Sequence, residues 1–393
     1  MTTRMSLAAL AMVAVLGLLP GRSRADDPWQ PEQAPAAASA NRPAVTGPAG
    51  PRPDPGPALI REAYRLGSAA TTVAQYSRAL QLCHQAQGYY LSANHVQYVR
   101  QLAAWLHNRR GEALSEEALQ LDDDGAGAEA QALQASALAD FDTAAQLDPR
   151  AWRPLHNRGL SQALAGQFEL AVRDFSRVIE RNPLYKNAWF NRAEIHFHQG
   201  RFQPAREDYG QVLRLDPNDL PARRQRAQAA LRLRQFDEAL ADYSEIVRLR
   251  PDDAQTYLDR ADLYAEFERW DEAARDYRVA IRLNPKLARA YQRAAWMMAT
   301  CPDAGYRNAE LALRAAEKAL ALEPQPTRAS LDTLAAAQAN AGKFPEARRS
   351  IRQALKIAGE EVRGELQARL ALYEKLEPYR GSQPSARTAS SRP

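Results

Sequence analysis

The sequence predicts an all-α protein, a solenoid of stacked antiparallel helix pairs finished by a C-terminal capping helix. Two observations predict it. Five prolines, Pro149, Pro183, Pro217, Pro251 and Pro285, fall 34 residues apart, and self-similarity at such a period marks units that stack into one continuous core. Around the prolines, other residue types recur in fixed columns. Twelve residues before each of the last four stands an alanine, and eight before stands an aromatic residue. These are Ala171, Ala205, Ala239 and Ala273, then Phe175, Tyr209, Tyr243 and Tyr277. A second aromatic column holds Phe168, Phe202, Phe236 and Trp270, and a small-residue column holds Gly159, Ala193, Ala227 and Ala261.

These columns resemble the tetratricopeptide (TPR) consensus, without a gap over residues 152 to 285. The resemblance implies units of two antiparallel helices, A then B, wound into a right-handed superhelix with a concave groove. The physics agrees with the columns. Small residues let helices A and B approach closely, and the aromatics fill the space beside that contact. Gly166, Gly200 and Gly342 end helix A, and the proline ends helix B because it disfavours α geometry in the residue before it.

The regular repeats are predicted at 152–185, 186–219, 220–253 and 254–287, within a solenoid over 58–379. Divergent units precede them at 58–93 and 94–151. In the first, residues 58–87 make a helical pair around Tyr64, Tyr76, Leu80 and Leu82. In the second, helix A is expected over 94–110 and helix B over 136–147, with an acidic, glycine-containing insert around Asp122 to Gly125 between them. Two more units follow at 288–327 and 328–359, the former expanded by five residues at Cys301-Pro302-Asp303. Residues 360–379 read as an amphipathic capping helix with Val362, Leu366, Leu370, Tyr373 and Leu376 on one side. The phrases from Ala295 to Asp303 and from Leu331 to Ala337 resemble those of exported bacterial TPR proteins.

Export is expected on other grounds too. Arg4 supplies a positive start, residues 5–19 are uncharged and mostly apolar, Pro20 breaks that run, and Ser23 and Ala25 place small residues before a cut. Residues 1–25 therefore read as a signal peptide, with Asp26 as the new N-terminus and a periplasmic or secreted destination. The apolar run is shorter than the ~20 residues that span a bilayer. The alternative is an uncleaved signal anchor, which would make the protein a tethered, purely structural envelope component. Residues 26–57 carry nine prolines among Ala and Gly and read as an extended linker. The Ser/Arg/Pro-rich residues 380–393 read as a disordered tail.

Composition excludes several function classes. The formal charge is +5; without the three arginines of the signal it falls to about +2, which gives no reason to expect nucleic acid. Cys83 and Cys301 lie far apart in an array whose units touch only neighbours, so two separate thiols are expected. The six histidines lack ligand spacing: His196 and His198 are two apart, and a helical metal pair needs four. There is no phosphate loop or nucleophile elbow. The expectation is a non-enzymatic scaffold without cofactor, metal or small-molecule substrate, whose partner is a protein or peptide.

Two polar columns stand out. One holds Arg158, Arg192, Arg226 and Arg260, the other Asp174, Asp208, Asp242 and Asp276. Where the chain loses one it loses the other, as at Ala294 with Ala315 and Leu334 with Ser350. These are expected to be structural ion pairs. A third column, on the groove side of helix A, reads Asn157, Asn191, Gln225 and Asp259. It resembles the start of the asparagine ladder in the TPR domain of O-linked N-acetylglucosamine transferases, which implies amides that clamp the backbone of an extended peptide. An amide both donates and accepts, as a peptide unit does. Phe190, Phe197 and Trp296 are candidate apolar anchors. Arg224 belongs to a basic third repeat and Asp259 to an acidic fourth, so the expected ligand carries both charges and an apolar residue or two.

Overall fold

The computed structural model describes residues 55–123 and 127–381. The expected signal peptide, nearly all of the proline-rich stretch, the centre of the acidic insert and the residues beyond Gly381 lie outside the described residues. Within them are seventeen α-helices and no strand. No helix among them is long and apolar enough to cross a membrane. The chain forms two compact units, divided between Ala222 and Arg223.

The first unit opens with α1 (Gly56–Ala69) and α2 (Val73–Gln87). Thr72 and Gln75 cap α2 reciprocally, satisfying donors that the helix start leaves open. Next come α3 (Ala93–Asp123) and α4 (Gly127–Leu147). Both are longer than the expected 94–110 and 136–147. Residues 112–121 hold neither proline nor glycine and are mostly strong helix formers, and Leu114 and Ala118 are buried. The stretch therefore continues α3.

The regular pairs follow: α5 (Arg153–Leu164) with α6 (Phe168–Arg181), and α7 (Lys186–His198) with α8 (Phe202–Leu215). The A–B contact is as close as the columns require. Ala171, Ala193 and Ala205 are fully buried, and a Cβ at Gly159 would stand 2.9 Å from the Phe175 ring. Each A helix ends the same way. Gly166 and Gly200 take φ of 75° and 73°, and the next amide donates back to Gln162 or His196 at 2.8 Å, a six-to-one closure that needs left-handed backbone.

Helix α9 (Leu220–Arg232) starts in the first unit and continues into the second. There α10 (Phe236–Leu249), α11 (Ala254–Glu266) and α12 (Trp270–Leu283) complete the regular pairs, and α13 (Ala288–Thr300) opens the expanded unit. The five-residue expansion forms a 3-10 turn, Ala304–Tyr306, before α14 (Ala309–Leu322), whose first turn Asn308 caps. Helices α15 (Arg328–Asn340) and α16 (Phe344–Lys356) form the last pair, and α17 (Glu360–Glu374) closes the core with Leu366 and Tyr373 fully buried. Leu376, expected on the apolar side of the capping helix, lies beyond its end and is 61% exposed. Pro378 disfavours α geometry just before it, and Leu376 adopts φ of 64°, which turns the chain back.

Candidate functional site

The two charged columns meet inside each regular repeat. Arg158 donates Nε to Asp174 Oδ2 at 2.7 Å and Nη2 to Asp174 Oδ1 at 2.6 Å. Arg192 grips Asp208 at 2.8 Å twice. Arg226 holds Asp242 at 2.8 and 2.6 Å, and Arg260 holds Asp276 at 2.6 and 3.0 Å. This fork-to-fork geometry is the strongest form of charge-assisted pairing. The aspartates are buried and the arginines half-buried. The third guanidinium nitrogen reaches the preceding B helix: Arg158 Nη1 to Asp142 at 2.8 Å, Arg192 Nη1 to Ser176 at 2.9 Å, Arg260 Nη1 to Ser244 at 3.3 Å. One side chain thus joins A to its own B and to the B before it. The hydrogen bonds it donates to Asp174 push the Arg158 guanidinium above its already high value.

The same lock stands in a unit where sequence reasoning missed it. Arg110 donates to Asp140 twice at 2.7 Å, and His107 Nδ1 lies 2.7 Å from the same carboxylate. Burial works to raise the Asp140 carboxyl, but the bonds from Arg110 and His107 hold it below its usual range. The signal was present as dipeptides: Arg110-Gly111 matches Arg158-Gly159, and Asp140-Phe141 matches Asp174-Phe175. A Cβ at Gly111 would stand 2.6 Å from the Phe141 ring, as its counterpart crowds Phe175.

The expected amide rungs are placed differently. Asn157 and Asn191 are buried, with 8% and 4% exposure. Asn157 Nδ2 donates to Asn108 Oδ1 at 3.0 Å and to Glu112 Oε1 at 2.9 Å. Asn191 Nδ2 lies 3.2 Å from His156 Nε2, and His156 Nδ1 lies 3.4 Å from Asn157 Oδ1. The amide nitrogens are therefore engaged inside the chain, in a polar row from α7 through α5 to α3. His156 is itself buried, and burial pulls its imidazole down to about 4.

Of the other candidates in the first unit, Phe190 is half-buried edge-on to Tyr209, and Phe197 is half-buried edge-on to Phe202. In the second unit Gln225, Arg224 and Asp259 are half-buried. Arg224 binds Asp253 and Thr256 and lies 3.6 Å from Asp259. Burial raises the Asp259 carboxyl, against a hydrogen bond from Gln255. Trp296, expected as an accessible anchor, is only 3% exposed. The Arg369 guanidinium sits 5.5 Å above its ring and the Tyr379 ring lies 6.0 Å away, so the closing helix and the segment after it cover this residue. Arg369 also lies 3.0 Å from Asp332, whose carboxyl burial raises to about 6 against the pull of Arg369. Among the described residues no group of three or more His, Cys, Asp or Glu is arranged to hold a metal ion.

Residues 156–219 and 224–288 match the family model of the tetratricopeptide repeat. These residues are tetratricopeptide repeats. Among solved structures it is similar to the C-terminal part of a TPR repeat-containing protein from Cytophaga hutchinsonii, at 19% identity and a TM-score of 0.50, over 70% of this chain and 99% of that one. It is also similar to a tetratricopeptide repeat protein from Parabacteroides merdae, at 21% identity and a TM-score of 0.46, over 67% and 98%. The comparison with curated proteins gives no match. The TPR repeats account for the columns, and the Cytophaga likeness supports the all-α solenoid fold.

Proposed function

We propose that this TPR protein is a non-enzymatic interaction scaffold that holds a partner polypeptide against the A-helix faces of its repeats. Tetratricopeptide repeats serve protein binding as a class, and one observation carries the reading here. The same bidentate Arg–Asp lock recurs in all four regular repeats, so each A helix is clamped at one angle to its B helix. Residues projecting from successive A helices then stand on fixed supports, and a fixed surface spends little entropy when it binds.

Phe190 and Phe197 supply the apolar contacts in the first unit. Arg224, Gln225 and Asp259 supply both charges and an amide in the second. Asn157 and Asn191 brace the surface from beneath, because their amide nitrogens already serve His156, Asn108 and Glu112. The partner is met outside the cytoplasm, a reading that rests on the signal-like pattern of residues 1–25.

The test is affinity capture from cell-envelope extract with the mature chain, quantified by mass spectrometry. A Phe190→Ala, Phe197→Ala variant, shown by circular dichroism to stay helical, should lose most of the polypeptide that wild type retains. Equal retention by both would remove the A-helix face of the first unit from the proposal. N-terminal sequencing of the exported protein tests the cut before Asp26, and a retained Met1 would favour the anchored alternative.

A further inference from the structure

A non-helical segment of the chain already lies against the A-helix face of the second unit. After α17 the left-handed Leu376 turns the chain, and the residues that follow return to the C-terminal end of α13. Arg380 Nη1 donates to the carbonyl of Ala299 at 2.7 Å, and the Gly381 amide donates to the carbonyl of Thr300 at 3.0 Å. The last carbonyls of a helix have no partner within it, so they suit a peptide laid across the helix end. Between these contacts and α17, the Tyr379 ring packs 5.3 Å from the Arg369 guanidinium and 6.0 Å from the Trp296 ring.

The floor beneath Tyr379 offers more hydrogen bonding than this segment uses. Trp296, Asp332, Arg369 and Tyr373 are each at most 3% exposed. Yet Trp296 Nε1, Asp332 Oδ1, Arg369 Nε and the Tyr373 hydroxyl have no hydrogen-bond partner among the described residues. A buried polar group left unpaired is costly, and four converge here from α13, α15 and α17. Three of them are N–H or O–H donors and one is a carboxylate acceptor. A carboxamide is the side chain that answers both, accepting through its oxygen and donating through its nitrogen.

We propose that the face of α13, α15 and α17 is a peptide-binding site held in cis by residues 377–381, and that its ligand in trans is an extended peptide pairing an aromatic residue with a neighbouring Asn or Gln. The aromatic side chain takes the place of Tyr379 on Arg369 and Trp296. The carboxamide accepts from Trp296 and Arg369 and donates to Asp332. The resident segment supplies the first feature and lacks the second, so it fills the site without saturating it. This narrows the scaffold reading and rests on it, at a different face from the Phe190 and Phe197 surface.

The experiment uses two fluorescent probes and the full mature chain, read by anisotropy. One probe copies residues 375–381; the other carries Asn in place of Pro378. In wild type the cis segment competes, and apparent affinity falls with the open fraction. A Tyr379→Ala, Arg380→Ala variant should therefore bind the copy about tenfold more tightly than wild type or better, and the Asn probe more tightly again. A chain ending at Leu376, which keeps every helix, is a second opened form and should behave alike. Adding Trp296→Phe to the opened variant should erase the advantage of the Asn probe and leave binding of the copy. Equal affinity in closed and opened forms, no binding to folded opened chain, or no preference for the Asn probe would each overturn the proposal. If the probes fail while Phe190 and Phe197 still govern partner capture, this site falls and the scaffold reading stands; if both fail, both fall.

Discussion

Arg110 grips Asp140 through two parallel hydrogen bonds, Nε to Oδ2 and Nη2 to Oδ1, each 2.7 Å long. The two residues belong to α3 and α4, far longer than the helices of any regular repeat, yet the pairing is that of Arg158 with Asp174. The lock therefore depends on the local A–B crossing and tolerates very different helix lengths. In every instance the carboxylate is the buried member, with the Asp140 side chain 6% exposed against 26% for Arg110. That asymmetry decides what happens when the arginine is lost.

Removing Arg192 should be more costly than losing a surface ion pair. Breaking a buried pair typically costs ~3–5 kcal/mol because a charge is left unpaired. The Arg192 side chain is 19% exposed and water reaches it, so Arg192→Ala should cost somewhat less, about 2–4 kcal/mol. Arg192→Lys should rescue little, since an ammonium cannot make two parallel bonds. An Arg192→Leu, Asp208→Ser double variant copies the natural pair Leu334 and Ser350, where the serine hydroxyl donates to Gln338 at 2.8 Å. It should recover at least half of the loss. Urea unfolding of the four forms checks this, and a double variant no better than Arg192→Ala would show that the carboxylate is not the problem.

The inter-helix turns give a second expectation. Gly166, Gly200, Arg234, Glu268 and Gly342 occupy one column, and all five have φ between 57° and 75°. Left-handed backbone costs an L-residue roughly 1–2 kcal/mol, which glycine avoids. Gly200→Ala should destabilise by about 1 kcal/mol. Arg234→Gly and Glu268→Gly should each stabilise by about 0.5–1 kcal/mol once the entropy of glycine in the unfolded chain is subtracted. Midpoints of thermal or denaturant unfolding decide it; a fall on either change to glycine would mean that the Arg or Glu side chain contributes more than the strain it imposes.

These turns mark what the sequence made legible. Local constraints printed themselves in every repeat: the small residues at the A–B contact, the glycines at left-handed positions, the charged pair across the crossing. Less legible was whatever depended on a side chain's other neighbours. Asn157 and Asn191 stand in one column, but their partners do not: Asn108 and Glu112 bind Asn157 from α3, where the repeat pattern fades, and His156 meets Asn191 from the preceding repeat. Trp296 is a candidate anchor in the sequence, but Arg369 and Tyr379, 73 and 83 residues later, help to cover it. The Arg110–Asp140 lock hid behind the longer helices, which moved its partners 30 residues apart instead of 16.

Both cysteines should be chemically silent in the folded protein. Cys83 and Cys301 are buried and free. Burial pushes the Cys83 thiol up to about 12 and raises Cys301 as well, and the thiolate is the reactive form. Ellman's reagent at pH 8 should titrate neither in native buffer and two per chain in strong denaturant. Rapid native labelling of either would mean that its helix pair opens readily.

Acid should weaken the first unit through His156. Burial holds its imidazole neutral down to about 4, against a hydrogen bond from Asn157 that favours the charged form, while an unfolded histidine protonates near 6.5. Between those values the unfolded chain binds the extra proton, so this contribution is complete above about pH 6.5 and is lost as pH falls toward 4. A difference of that size amounts to about 3 kcal/mol across the window. His196 is depressed by burial too and adds to the slope in the same direction. His156→Gln keeps a hydrogen-bonding side chain beside Asn157 and Asn191 but cannot titrate in this range. Its stability at pH 7.5 should be lower than wild type because the ring packing against Phe175 and Tyr185 is lost. Its decline between pH 6.5 and 5, where few carboxylates titrate, should be clearly shallower. Urea midpoints of both proteins over that interval measure the difference, and parallel curves would mean that His156 is charged, or already exposed, before the chain unfolds.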